Sequence, residues 1–328
     1  MRVQQVREML DNRQIAIYFC AVAAAAGLAT MVPGTAAFES AINPALALML
    51  FVTFLQVPLA ELKRAFAQLR FLVALLVANF IVLPLLVMVL VQFLPADPLL
   101  RLGLLMVLLT PCIDYVVTFA HLGRADARLL LAATPALLGA QLLLLPGYLG
   151  LFLGDEAAAL VQLGPFVHAF IWLIAAPLVL AGLTQIWAAK NHLASRVVTL
   201  LGLLVVPATA GVLFIVIAAV LPQLGPASGA ALLVVPIYVA FAIVAPWLGW
   251  LVARMFRLEV AAGRAIAFSA GSRNSLVVLP LALAVPGAVP VLPALIVTQT
   301  LVELVAELAY VRLLARLGHE SVVAPSPP

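Results

Sequence analysis

The chain has 328 residues, of which 66% are hydrophobic and 9% charged, and its mean hydropathy is +1.25. A soluble domain carries roughly a quarter of its residues as charged side chains, so this composition excludes a soluble protein and indicates one embedded in lipid. The net charge of +4 does not predict a nucleic-acid partner, because the basic residues lie in short connectors between apolar runs. The two cysteines, Cys20 and Cys112, lie in separate apolar runs and predict no disulfide framework.

Ten apolar runs are long enough to cross a bilayer, which takes about 20 residues of helix. They cover residues 14–32, 41–60, 71–94, 99–121, 129–153, 164–187, 197–221, 230–252, 264–286 and 291–313. The sequence therefore predicts an all-α integral membrane protein, with residues 1–328 forming a single membrane transporter domain. The first run follows a basic leader and could instead be a cleaved signal peptide, but cleavage would break the symmetry described below.

The basic residues alternate from one connector to the next. Fifteen of the seventeen lie in one set of connectors and at the termini: Arg2, Arg7, Arg13, Lys63, Arg64, Arg70, Arg124, Arg128, Lys190, Arg196, Arg254, Arg257, Arg264, Arg312 and Arg316. The alternate connectors carry only Arg101. Because cytoplasmic loops hold the lysine and arginine excess, both termini are predicted to be cytoplasmic. The Ala/Leu/Arg-rich usage is typical of a GC-rich bacterium, so the predicted location is the bacterial inner membrane.

Ten helices divide into two halves of five, and an odd number per half gives an inverted repeat. The first repeat would cover about 14–153 and the second about 164–313, followed by a short cytoplasmic tail, 314–328. The fourth and ninth helices are then equivalent, and both contain a polar break. The breaks read Thr110-Pro111-Cys112-Ile113-Asp114 and Ser269-Ala270-Gly271-Ser272-Arg273-Asn274-Ser275. Matched interruptions in corresponding helices indicate a transport site, so Thr110, Ser272 and Asn274 are candidate binding residues.

One charged residue, Arg273, lies in the middle of a predicted span. An arginine cannot lose its proton, and placing it at the bilayer centre costs about 2.5–3.5 kcal/mol on insertion scales. Arg273 should therefore face the protein interior and pair with an anion, either Asp114 by the repeat argument or Glu303. The pair would gate or complete a substrate site, or it would only lock the two broken helices together.

The last predicted helix carries a polar face, with Gln299, Glu303 and Glu307 spaced one turn apart. A carboxylate in apolar surroundings can take up a proton. Glu303 is therefore a candidate proton carrier, or a cation ligand if it stays ionised. Glu307 lies nearer the predicted cytoplasmic end, where contact with water is the simpler expectation.

The other polar residues within or near the spans predict packing roles. His121 and His168 lie near helix ends, where interfacial histidines are common, and Asn79 and Gln56 are interpreted as hydrogen-bonding partners between helices. Cys20 lies in an Ala-rich helix and is expected to pack as a small hydrophobe. The sequence contains no Walker motif, metal-ligand cluster or nucleophile–base pattern, so neither an enzyme nor an ATP-driven pump is predicted.

Short motifs in four spans carry a resemblance to a known family. They are Ala78-Asn79-Phe80 with Pro84; Pro111-Cys112-Ile113; Ala267-Phe268-Ser269 through Arg273-Asn274-Ser275; and Leu301-Val302-Glu303. With these, essentially the whole membrane domain resembles the bile acid:sodium symporter superfamily, and within it the arsenical-resistance permeases, which extrude arsenite. The resemblance implies ten helices in two inverted repeats, with the fourth and ninth broken and crossing. It also implies functional roles for Cys112 and Glu303.

The chain departs from the pattern of that branch at three positions. Pro111 stands where the branch has an arginine, Asp114 is an added aspartate, and Arg273 stands where many relatives have an uncharged residue. A cation in the ninth-helix break disfavours a sodium ion there, so H+ is favoured over Na+ as the coupling ion. No other cofactor is expected.

The leading hypothesis is a proton-coupled efflux permease for arsenite or antimonite. Cys112 would contact the metalloid, Glu303 would load and release the proton, and Arg273 with Asp114 would set the charge balance. The alternative is a sodium- or proton-coupled symporter of a small organic anion, with Arg273 as the carboxylate clamp. A non-transporting scaffold or sensor is disfavoured by the short connectors. The expected partners are the solute and membrane lipid, with the protein a monomer or homodimer.

Overall fold

The computed structural model describes residues 2–56, 68–113, 115–153, 164, 167–168, 171–283, 285 and 287–318. Over these residues the chain is helical, with no β-strand. The helices are α1 (Arg2–Met31), α2 (Glu39–Phe54), α3 (Leu69–Val77), α4 (Leu83–Leu90), α5 (Pro98–Leu108), α6 (Val116–Leu122), α7 (Ala127–Leu153), α8 (Ala176–Ala188), α9 (His192–Leu201), α10 (Val205–Val220), α11 (Leu224–Met255), α12 (Val260–Gly271), α13 (Ser275–Leu283) and α14 (Val291–Leu313).

Six helical segments are long and apolar enough to cross a membrane, which identifies a multi-pass membrane protein. They are Gln4–Met31, Thr35–Phe54, Leu69–Phe93, His192–Val220, Ala227–Met255 and Val291–Arg316. The bent pair Ala127–Gln141 and Leu143–Leu153 would be a seventh. The predicted spans 99–121 and 264–286 are each divided into two shorter helices, and the predicted span 164–187 is described only in part. The count of ten spans therefore stays a prediction.

The bend in α7 has a local cause in the sequence. Its two halves meet at 47° between Gln141 and Leu143, and Pro146 lies within the helix. A proline has no N–H for the carbonyl four residues before it, and its ring clashes with that carbonyl. The bend falls at residue 142, which lies four positions before Pro146.

The helices pack in two groups. In the first, which we call the outer bundle, α1 packs against α10, and α2 packs against both α8 and α10. In the second, which we call the crossing bundle, α11 packs against α12 and α14, while α14 also contacts α5, α6 and α13. Gly249 allows the close approach of α11 to α12, because a Cβ there would lie 2.5 Å from the Ala270 Cβ and 2.9 Å from the Ile266 carbonyl oxygen.

Large apolar side chains cover the outside of the molecule, as a lipid-facing surface requires. Leu143 is 83% exposed and Val305 is 63% exposed. On α14 this apolar surface lies opposite the buried polar face that contains Gln299, Glu303 and Glu307.

Cys20 is also exposed, on α1, so the expectation that it packs inside the protein is wrong. The Ala-rich composition around it did not show which face of α1 meets the neighbouring helices.

Candidate functional site

The two polar breaks meet and bond to each other through their backbones. Pro111 and Arg273 form an isolated antiparallel bridge. The N–H of Cys112 donates to the carbonyl oxygen of Ser272 at 3.2 Å, and the N–H of Asn274 donates to that of Thr110 at 2.8 Å. Each break therefore satisfies backbone groups of the other, which a span in lipid must do when its helix is interrupted. We call this place the crossing.

The sequence explains where the first break falls. α5 begins after Asp97, whose side chain accepts from the N–H groups of Leu99 at 2.8 Å and Leu100 at 3.0 Å. The helix ends before Pro111, because that residue has no N–H to offer the carbonyl of Val107. The hydroxyl of Thr110 lies 2.9 Å from that carbonyl oxygen. The same hydroxyl lies 2.9 Å from the Met106 carbonyl oxygen, and the backbone N–H of Thr110 donates to the Val107 carbonyl oxygen at 3.2 Å. Thr110 thus supplies the donor that Pro111 lacks.

Arg273 is fully buried at the crossing, and uncharged oxygen atoms hold its guanidinium group. Its Nη2 lies 2.8 Å from the Asn79 Oδ1, 2.7 Å from the Ser269 carbonyl oxygen and 2.9 Å from that of Ala270. Its Nη1 lies 3.3 Å from the carbonyl oxygen of Leu108. Three of these four acceptors are carbonyls near the C-terminal ends of α5 and α12, where helix dipoles favour a positive charge.

The expected ion pair of Arg273 has two candidate partners. Asp114 lies outside the described residues. Glu303 does contact Arg273, but its Oε2 accepts from the backbone N–H of Arg273 at 2.7 Å. The guanidinium group bonds instead to the carbonyl ends of two half-helices, so Glu303 contacts Arg273 through its backbone N–H and not through a side-chain salt bridge. Sequence spacing identified the neighbourhood but could not show which group of the arginine faces the carboxylate.

Glu303 is buried and accepts three hydrogen bonds. The hydroxyl of Tyr115 donates to its Oε1 at 2.7 Å. The backbone N–H of Arg273 and the amide of Gln299 both donate to its Oε2. An ionised carboxylate can only accept, so this set of donors suits a charged Glu303. The same bonds connect α6 and the second break to α14.

Glu307 is fully buried, one turn from Glu303. The prediction that water solvates it is wrong. The second break itself covers this part of α14, since a Cβ on Gly271 would lie 2.6 Å from the Tyr310 ring. The hydroxyl of Ser272 forms a hydrogen bond with the Oε1 of Glu307.

Several buried polar atoms around the crossing have no hydrogen-bond partner among the described residues. They are the Nε of Arg273, the Nδ2 of Asn274, the Oε1 of Gln299 and the Oε2 of Glu307. A buried polar atom without a partner costs about 1–3 kcal/mol. Atoms of this kind are rare in native proteins and indicate where water, an ion or a solute completes the bonding.

Two residues add to the site beyond the predicted set. Asn79, predicted as a partner between helices, donates to the Ser269 hydroxyl at 3.0 Å as well as accepting from Arg273. It lies in a π-helical turn, Ala78–Val82, a feature frequent at functional sites. Tyr115 was missed by the sequence analysis, although a phenol directly after the polar break was the signal that could have identified it.

A cavity of about 410 Å³, lined by both polar and apolar side chains, opens between the two bundles. Arg7 and Gln56 line it from the outer bundle and bond to each other at 2.8 Å. Thr118 and His121 of α6 line the opposite side. Cys112 is fully buried and does not line this cavity. The cavity therefore reaches the helix that follows the first break but stops short of the crossing.

The chain was compared with models of known protein families. The model of the Sodium Bile acid symporter family matches residues 43–227, more than half of the 328 residues. Members of that family are transporters. The match contains the first break and ends before the second, so Arg273, Glu303 and Glu307 lie outside it. None of the curated proteins compared with the chain matches it.

Proposed function

The chain belongs to the Sodium Bile acid symporter family, and we propose that it is a secondary active transporter that exports arsenite or antimonite in exchange for protons. One observation carries the proposal. The crossing brings the buried Cys112 into a polar centre beside the break that contains Ser272 and Arg273, with two buried glutamates on the adjacent helix. A sulfur ligand suits a soft, thiol-seeking solute better than oxygen or nitrogen does.

The proposed transport cycle is a movement of the outer bundle against the crossing bundle. It assumes ten spans in two inverted repeats with cytoplasmic termini. The mutual backbone bonding of the two breaks supports such a repeat, because equivalent interruptions meet at one place. The cavity between the bundles supports alternating access, since it lies along the surface where the bundles would separate. In this conformation Cys112 is closed off, so the solute reaches it when the cavity extends along α6.

Proton coupling is proposed in preference to sodium coupling because of Arg273. The carbonyl oxygens near the ends of α5 and α12 form a cluster that suits a cation, and the guanidinium group already occupies it. A fixed positive charge there repels a sodium ion. The exchangeable charge is then carried by the carboxyl groups of α14, with Glu303 loading and releasing the proton.

A second candidate function is symport of a small organic anion. The unpartnered Nε of Arg273 favours it, because an N–H of a buried guanidinium group could bind a carboxylate. The other nitrogens of that group are engaged with four acceptors of the protein. A clamp would have to release them, and this makes metalloid export the better supported function.

The proposed function is tested by arsenite accumulation in cells that lack their own arsenite pumps. Cells that express this chain should accumulate severalfold less arsenite than cells with the empty vector. The amount of the protein in the membrane fraction is measured in the same cultures. Equal accumulation in the two strains, with the protein present in the membrane, would refute metalloid export.

A further inference from the structure

The environment of Glu307 differs from that of Glu303 in its donors. Ser272 is the one described residue that bonds to the Glu307 carboxyl group, and the Oε2 of Glu307 has no partner among the described residues. The same serine hydroxyl lies 2.8 Å from the carbonyl oxygen of Phe268. A hydroxyl group has one proton and can donate to only one of these two oxygens.

The single hydroxyl proton decides which form of Glu307 fits the site. If Glu307 were ionised, its two oxygens would share at most the one proton of Ser272, and its buried negative charge would have no other donor among the described residues. If Glu307 is protonated, it donates to the Ser272 Oγ, and Ser272 donates to the Phe268 carbonyl. The neutral acid therefore forms both bonds through Ser272 and places no uncompensated charge in the interior, whereas the Oε2 lacks a described partner in either form.

The charged neighbours of Glu307 point the same way. The titratable side chains around this face of α14 are Glu303 and Tyr310 on α14, Arg273 and Cys112 in the breaks, Tyr115 before α6 and Tyr238 on α11. The buried Arg264 of α12 bonds to the carbonyl oxygens of Arg124 and Leu317, and Asp114 lies outside the described residues. The Tyr310 hydroxyl donates to the Ala242 carbonyl. The guanidinium group of Arg273 bonds to other acceptors. No described residue thus offers Glu307 a cation, and the Glu303 carboxylate one turn away repels a second negative charge.

We infer that Glu307 is a second proton-binding group, and that it holds the proton in this conformation while Glu303 is ionised. The inference deepens the proposed function and rests on its proton coupling. Two carboxyl groups one helical turn apart then share one proton. When the proton leaves Glu307 for the Glu303 carboxylate, the negative charge moves the other way. The two carboxyl groups together keep one negative charge throughout. Glu307 lies one turn nearer the end of α14 that carries Arg312, and it is therefore closer to that membrane surface than Glu303.

Infrared spectroscopy of the purified full-length protein in lipid tests this assignment without any substrate. The wild type at neutral pH should show the C=O stretching band of a protonated carboxyl group. The band should be absent in Glu307→Gln and should remain in Glu303→Gln. A glutamine at 307 can donate to Ser272 as the protonated acid does, so the variant should keep the fold. Exposed Glu259→Gln serves as the matched control and should leave the band unchanged.

A second variant keeps the test decisive if Glu307→Gln does not fold. Ser272→Ala removes the acceptor of the Glu307 proton, so the band should move to higher frequency. A wild type without the band, a band that survives in Glu307→Gln, or a band that Ser272→Ala does not move would overturn the inference. Because arsenite is absent from these measurements, the proton assignment can fail while metalloid export stands, and export can fail while the assignment holds.

Discussion

Replacing Cys112 with serine is expected to abolish the arsenite resistance that the wild-type chain gives to cells lacking their own arsenite pumps. Serine is close to cysteine in shape, and the backbone bond of residue 112 to Ser272 does not involve the side chain. The variant should therefore reach the membrane in normal amounts. What it loses is the soft sulfur ligand, since a hydroxyl oxygen binds a thiol-seeking solute weakly. We expect export to fall at least about tenfold, which corresponds to a loss of about 1.4 kcal/mol of binding free energy.

The chain provides a matched control for this experiment in its other cysteine. Cys20 is exposed on α1, and Cys20→Ser should keep full resistance. Full resistance in Cys112→Ser would remove the metalloid-binding role of Cys112. If transport of an organic anion were found and Arg273→Ala abolished it while Cys112→Ser did not, the second candidate function would replace the first.

Replacing Glu303 with glutamine is expected to reduce proton-driven export by at least about tenfold, again about 1.4 kcal/mol. Glu303 accepts from Tyr115, Gln299 and the backbone of Arg273. A glutamine has only one side-chain oxygen, so its NH₂ group would replace one of the two oxygens that accept from these groups. At that position donor would then face donor, and a hydrogen bond would be lost. It also cannot exchange a proton, so the charge change that couples export to the proton gradient is lost.

The control for Glu303→Gln is Glu259→Gln, because Glu259 is exposed at the start of α12. Export from cells should be unchanged in this control. Both variants are compared at equal amounts of protein in the membrane. Wild-type rates in Glu303→Gln would show that this carboxyl group is not the coupling site.

The sequence predicted the two breaks well because their causes are local. Pro111 removes a backbone donor, and the polar residues around Arg273 interrupt the apolar run that a membrane-spanning helix needs. The same local reasoning placed Gln299, Glu303 and Glu307 on one face of a helix, and the structure has all three buried there. Backbone chemistry and helical spacing can be read without knowledge of the neighbouring helices.

What the sequence could not predict depends on contacts between distant segments. Glu307 is buried because the segment around Gly271 lies against α14, and nothing near Glu307 in the sequence indicates this. The partners of the Arg273 guanidinium group include Asn79, 194 positions away. Hydropathy also counts apolar residues without testing whether one helix contains them, and for that reason the runs 99–121 and 264–286 do not each form a single long helix in the described part of the chain. The basic leader residue Arg7 lines a cavity, although its position suggested only an orientation signal.

Arsenite uptake into everted membrane vesicles tests the central claim, proton-coupled metalloid export, most directly. In such vesicles the cytoplasmic face is outside, so export appears as accumulation. An acid-inside pH gradient should drive arsenite into vesicles that contain the wild-type chain, a protonophore should abolish the uptake, and replacing sodium with choline should not change it. Arsenite uptake that follows a sodium gradient and ignores the pH gradient would contradict the account.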